Sequence, residues 1–225
     1  MPVSTASTTV DVSGLAQRRL ALLGNPNCGK TALFNRLTGS QQKVANYAGV
    51  TVELKRGLMK TAVGRSVTVM DLPGTYSLNA GSQDEAVACA VVLGRSLQER
   101  APDLTAVVLD ATRLRRGLRL VAALKRLQVP MVVLLNMMDR VRAQGREMDV
   151  ALLSRTLGVP VVEATGIHPH GTDALRTLLD DPTLWTQPHP AAEAAEALAG
   201  QVQADDAQAQ AWLAQAGLDH PLAEH

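Results

Sequence analysis

RRLALLGNPNCGKTALFNRLT, residues Arg18 to Thr38, runs from an apolar stretch through a glycine-framed turn into a helical pattern. Leu20 to Leu23 form the apolar run, which stops at Gly24. Asn25, Pro26, Asn27, Cys28, Gly29, Lys30 and Thr31 then complete the pattern G-x-x-x-x-G-K-[ST]. Leu33, Phe34 and Leu37 fall on one face of the helix that follows. Strand, loop and helix in that order make a phosphate site rather than a chance glycine turn. Gly24 and Gly29 let the backbone bend so that successive N–H groups point inward at phosphate oxygens. The helix beginning near Gly29, with Ala32 on its first turn, adds the positive end of its dipole. Lys30 is expected to reach the β- and γ-phosphates, and the Thr31 hydroxyl to ligate Mg²⁺.

The composition agrees with that reading and closes off others. The 225 residues suit one domain plus an appendage. With 46% hydrophobic and 19% charged residues, the chain is globular rather than disordered. Its 22 Lys plus Arg nearly balance 21 Asp plus Glu, so no basic field points to nucleic acid or an anionic membrane. Cys28 and Cys89 offer no disulfide framework and suit a reducing cytosol. No stretch approaches the ~20 apolar residues of a membrane span. Residues 1–17 lack the charged start and apolar run of a secretory signal, and read as a flexible leader.

Beyond the first helix, Gln41 to Gly49 is polar and reads as a loop. Val50 to Val63 and Ser66 to Met70 read as two strands of a hairpin turned at Gly64-Arg65. Thr51, at the end of the loop, is placed to become a second Mg²⁺ ligand once a γ-phosphate orders that loop. Asp71-Leu72-Pro73-Gly74 follows a buried strand: the aspartate can hold Mg²⁺ through water, and Gly74 can bring its N–H to the γ-phosphate. Ser82 to Glu85 resembles the start of a helix running to Leu93. Strands at Leu104–Leu109, Pro130–Leu135 and Val159–Val162 alternate with helices at Leu114–Leu127, Asp149–Leu157 and Gly171–Leu179. This alternation predicts an α/β fold, a mostly parallel sheet with helices on both faces, and ligands at the carboxyl ends of its strands. The alanine-rich Ala191–Gly217 stretch predicts about two further helices, with Gly200 and Gly217 as stops. The expected division is a leader at 1–17, a nucleotide-binding domain at 18–181 and a short C-terminal helical appendage at 182–225.

Asn136-Met137-Met138-Asp139 defines the base. A carboxylate at Asp139 can accept from both N1–H and the exocyclic amine of guanine, a pair that adenine lacks, so GTP is favoured over ATP. Met137 stands where the motif usually has lysine, and an apolar side chain can still cover the base. Thr165-Gly166 stands where a Ser-Ala pair usually gives an N–H to the guanine oxygen.

GNPNCGKTALFNRLTG, NYAGVTVE, DLPGTYSL, LDAT and LNMMD, in this order and spacing, resemble the GTPase domain of the bacterial ferrous iron transport protein B family over Arg18 to Leu179. The resemblance implies a Ras-like P-loop GTPase domain. In that family a helical domain and a membrane region that moves Fe²⁺ follow; the alanine-rich stretch falls where the helical domain begins, and looks short for it. The chain therefore resembles a soluble fragment or a shortened relative, acting at the cytoplasmic side of the bacterial inner membrane. The implied partners are guanine nucleotide, the membrane transporter region and its accessory proteins; nucleic acid is not among them, and an oligomer is left open. Carried over by position, Lys30 and Thr31 contact phosphate and Mg²⁺, Thr51 is the first-switch Mg²⁺ ligand, Gly74 is the second-switch γ-phosphate contact, and Asn136 and Asp139 read guanine. Asn27 matches the asparagine that, in potassium-activated relatives, helps hold K⁺ where an arginine finger acts elsewhere. Thr75 occupies the place of the water-positioning glutamine of Ras-like enzymes, which implies slow intrinsic hydrolysis. Other readings are a GTPase of the ribosome-assembly or tRNA-modification type, and a nucleotide-gated binding module with negligible turnover.

Three features carry less. His168-Pro169-His170 has too few ligands for a closed metal site and reads as a solvated loop. Arg113, Arg115, Arg116 and Arg119 read as a solvated helix face before an arginine finger or a lipid patch. Cys28 is a small loop residue before it is a redox centre, and Cys89 reads as core.

Overall fold

In the computed structural model, which describes residues 17–39, 42–46, 52–186 and 202–218, the opening apolar run becomes strand β1 (Arg18–Gly24) and the pattern after the loop becomes helix α1 (Lys30–Thr38). Then come β2 (Gln42–Asn46), β3 (Glu53–Lys60), β4 (Ser66–Asp71), α2 (Gln83–Val92), β5 (Leu104–Asp110), α3 (Leu114–Arg126), β6 (Met131–Asn136), α4 (Met138–Ala143), α5 (Val150–Leu157), β7 (Val161–Glu163), α6 (Asp173–Leu178) and α7 (Val202–Gln215). Single 3₁₀ turns stand at Ala111–Arg113 and Pro182–Trp185.

The strands form one sheet in the order β2-β3-β4-β1-β5-β6-β7. From β4 to β7 the pairing is parallel, with Leu22 opposite Asp71 and Asp110 opposite Asn136. This register brings the strand ends that carry Gly24, Asp71, Asp110 and Asn136 to one edge. The centre of the sheet is buried on both faces, which is why β5 and β6 read as unbroken aliphatic runs. One face packs Leu33, Phe34 and Leu37 of α1 with Leu175 of α6. The other collects α2, α3, α5 and α7. Local chemistry starts the helices: Ser82 Oγ accepts from the Glu85 N–H at 3.2 Å, and Asp149 Oδ1 accepts from the Leu152 N–H at 2.8 Å.

β3 and β4 are antiparallel, as the hairpin reading expects. The loop reading of Gln41–Gly49 is corrected in part. Gln42–Asn46 is an edge strand, pairing antiparallel with β3 so that Val44 lies opposite Lys55. Its backbone pairing, not a hydrophobic pattern, defines it. Thr51, Gly200, the leader up to residue 16 and the first part of the alanine-rich stretch, residues 191–201, lie outside the described residues. Within that stretch α7 is helical and Gly217, just past its end, is left-handed at φ 66°.

α7 packs into the main core through Ala209, Trp212 and Leu213. It also changes the reading of the arginine row on α3. Arg115 Nη2 donates to Asp206 Oδ2 at 2.9 Å, Arg119 Nη1 stands 3.7 Å from Asp206 Oδ1, and Arg126 pairs with the buried Asp205. Two of the four row arginines, Arg115 and Arg119, thus pair with the neighbouring helix, while the face stays largely exposed at Arg113, Arg115 and Arg116. Among the described residues no helix is long and apolar enough to cross a membrane.

Candidate functional site

The turn between β1 and α1 forms a cradle. Gly29 is left-handed at φ 90°, and a Cβ there would collide with Asn136 Nδ2. Asn27 is also left-handed, at φ 64°, with its side chain exposed. No side chain caps α1 and no acidic residue stands in its first turn, so the N–H groups around Lys30, Thr31 and Ala32 are left for an anion. Lys30 is buried, and its Nζ donates to Gly24 O at 2.9 Å and Asn25 O at 3.1 Å. The ammonium thus lies folded over the cradle, on carbonyls that a phosphate would replace. Pro26 is exposed beside it, and Asn25 Oδ1 is buried without a hydrogen-bond partner. Cys28 is buried and burial pushes its thiol pKa up, which disfavours the thiolate a redox role needs.

β4 delivers Asp71 to the far side of the cradle. Thr31 Oγ1 donates to Asp71 Oδ2 at 3.0 Å, while Asp71 Oδ1 is buried with no partner. Burial raises the Asp71 pKa; the Thr31 hydroxyl, Lys30 and Lys55 work against that rise. A hydroxyl beside an under-satisfied carboxylate is a donor set for a hard divalent cation such as Mg²⁺.

After Asp71 the chain turns back to the cradle. Gly74 lies directly against Pro26, and the Thr75 N–H donates to Gly24 O at 3.1 Å. Thr75 is fully buried, and its hydroxyl donates to Ser77 O at 2.6 Å. Glu85 ties the two ends of this segment: its Oε1 accepts from the Tyr76 N–H at 3.1 Å and its Oε2 from the Gly81 N–H at 2.8 Å. Sequence reasoning saw Glu85 only as part of a helix start; its offset of three from Ser82 was the available signal.

The base-reading residues gather at the ends of β6 and β7. Asn136 is buried; its Nδ2 donates to Cys28 O at 2.9 Å and its Oδ1 accepts from the Met137 N–H at 2.9 Å. It thereby fixes the cradle and the start of the next loop to each other. Met137 is left-handed at φ 63° and half-buried, and Asp139 is exposed on the first turn of α4. The Thr165 N–H is committed to Gly171 O at 2.7 Å. Gly166 lies so close to α1 that a Cβ would strike the Ala32 carbonyl, and its own oxygen accepts from Arg36 Nε at 3.1 Å. Arg142 of α4 reaches across to Glu163 at the end of β7, a link that no short-range pattern signals. His168 is exposed, His170 Nδ1 stands 3.0 Å from Asp173 Oδ2, and no group of three or more metal-ligating side chains occurs among the described residues.

A family model described as ferrous iron transport protein B matches residues 18–179. The Fe(2+) transporter FeoB of Salmonella typhimurium is 44% identical over 165 residues, covering 72% of this chain and 21% of the relative. That of Escherichia coli (strain K12) is 43% identical over the same length and shares. The chain thus spans about a fifth of the curated relatives it matches. Among solved structures, the cytosolic domain of the T. maritima FeoB iron transporter in its GMPPNP form superposes with a TM-score of 0.65 at 35% identity, covering 71% of this chain and 61% of that one. An S. thermophilus NFeoB mutant bound to GDP gives 0.64 at 41% identity, covering 71% and 59%.

Proposed function

Since this chain belongs to the ferrous iron transport protein B family, we propose that it is a guanine-nucleotide switch that binds GTP and hydrolyses it slowly. The observation that carries this is one connected set: Lys30 over the cradle carbonyls, Thr31 on Asp71, and Asn136 holding Cys28 O. Lys30 turns to the β- and γ-phosphates, with Gly24, Asn25, Pro26, Asn27, Cys28, Gly29 and Ala32 around them. Asp139 accepts from guanine, Met137 covers the base, and the Thr165-Gly166 loop closes over it. Thr31 and Asp71, with Thr51 from outside the described residues, would hold a Mg²⁺ that neutralises phosphate charge.

Slow turnover is supported by Thr75. The residue is fully buried and its hydroxyl proton is committed to Ser77 O, so the side chain does not reach solvent to orient an attacking water. Absent transition-state groups of this kind cost ~10³–10⁵ in rate. We assign Asn27, exposed at the cradle rim, the role of holding a K⁺ that supplies the missing positive charge. Gly74 exchanges its packing on Pro26 for the γ-phosphate, and Gly74–Gln83 reorders with nucleotide state. The 3₁₀ turn Ala111–Arg113 that leads into α3 packs against α4, and α3 carries α7 along its length, so α7 passes that state to a membrane transporter region at the cytoplasmic face.

The test is GTP turnover by the purified chain in KCl and NaCl at equal ionic strength. Stimulation by K⁺ that is lost in Asn27→Ala is expected. Equal slow rates would remove the K⁺ role, and no turnover in either salt would remove hydrolysis.

A further inference from the structure

Arg142 contacts one carboxylate, that of Glu163, and carries a second on its own helix. It stands one helical turn after Asp139 on α4, and its Nη2 lies 2.6 and 2.7 Å from the two oxygens of Glu163. Both negative charges act on it: Glu163 first and Asp139 after it raise the Arg142 pKa. Asp139 needs both oxygens free for the two donors of guanine. An arginine turned onto it would compete for them with a charge-assisted fork. Glu163 is the group that holds the guanidinium away. It occupies the last position of β7, immediately before the Ala164-Thr165-Gly166 loop.

We propose that Glu163 is a specificity-positioning residue, which sequesters Arg142 so that the Asp139 carboxylate stays open to the exocyclic amine and N1–H of a guanine base. The proposal rests on the guanine-nucleotide reading above. As a stability element the pair is minor, because both side chains are well exposed and such pairs contribute little. Its consequence lies in which acceptor the arginine leaves free. The effect has a sign that ordinary structural support does not. Removing Glu163 alone harms base recognition, and removing Arg142 as well repairs it.

The experiment is equilibrium titration of GDP and IDP, with Mg²⁺, into wild type, Glu163→Gln, Arg142→Ala, the double variant and Asp139→Asn. IDP lacks the exocyclic amine, so the GDP-to-IDP affinity ratio reads the Asp139 contact. Glu163→Gln is expected to weaken GDP about 10-fold, the worth of one charge-assisted hydrogen bond, and to shrink that ratio. The double variant and Arg142→Ala alone are expected to return both to within about 2-fold of wild type. An unchanged ratio in Glu163→Gln, or a double variant no better than the single one, overturns the proposal. A wild type that shows no GDP preference, or an Asp139→Asn that keeps it, overturns instead the guanine reading beneath it.

Discussion

Trp212→Ala should unseat α7. The indole is 5% exposed and packs with Ala209 and Leu213 against α3 and α5. Lys125 Nζ stands 5.6 Å from the ring centroid, within cation–π range. Truncating a buried tryptophan costs about 3–5 kcal/mol, because the lost transfer energy adds to the cavity left behind. A domain of this size has about 5–15 kcal/mol in all, so the variant should remain folded but clearly weakened. Urea unfolding followed by circular dichroism reads the loss, and Trp185, the other tryptophan, supplies an independent fluorescence signal from the opposite face. A loss below about 1 kcal/mol, the range of an exposed substitution, would refute the placement of α7 in the core.

Two further outcomes follow from charges. Burial lifts the Asp71 pKa above the ordinary 3.8, so the folded chain holds that proton more tightly than the unfolded one. As pH rises through 3.8 toward the folded value, ionisation therefore costs stability, and the cost stays constant above it. Asp71→Asn should raise the melting temperature of the nucleotide-free protein at pH 7, with the gain vanishing below pH 3.8, while Mg²⁺-dependent nucleotide binding is lost; a lower melting temperature at pH 7 would contradict this. On the seam between α3 and α7, Asp206→Ala removes a partly exposed carboxylate that pairs with Arg115 and Arg119 and should cost under about 1 kcal/mol, whereas Asp205→Ala removes a buried carboxylate that pairs with Arg126 and should cost about 1–3 kcal/mol. Equal losses in urea titrations of the two variants would count against this geometry.

The parallel core was legible because β1, β5 and β6 are aliphatic runs between helical patterns, and the phosphate loop because its residue types are dictated by backbone geometry. Asp71, Asn136 and Asp139 could be found because strand ends in such a sheet converge. β2 was missed because an edge strand with one open side needs no alternation: Lys43 and Val44 are both exposed. α4 was missed because six residues give periodicity too little room. The arginine row of α3 is largely exposed, as read, but its ion pairs were not legible: Asp206 lies 91 residues beyond Arg115, a separation that leaves no local mark. Glu163 and Arg142, 21 residues apart on different elements, were invisible for the same reason.

The most direct test of the account is a calorimetric titration of the purified chain with GDP and with ADP, each with Mg²⁺, repeated on Asp139→Asn. A GDP preference of about 100-fold or more is expected, set by donors that adenine lacks and abolished in the variant. Equal affinity for the two nucleotides, or binding of neither, would contradict it.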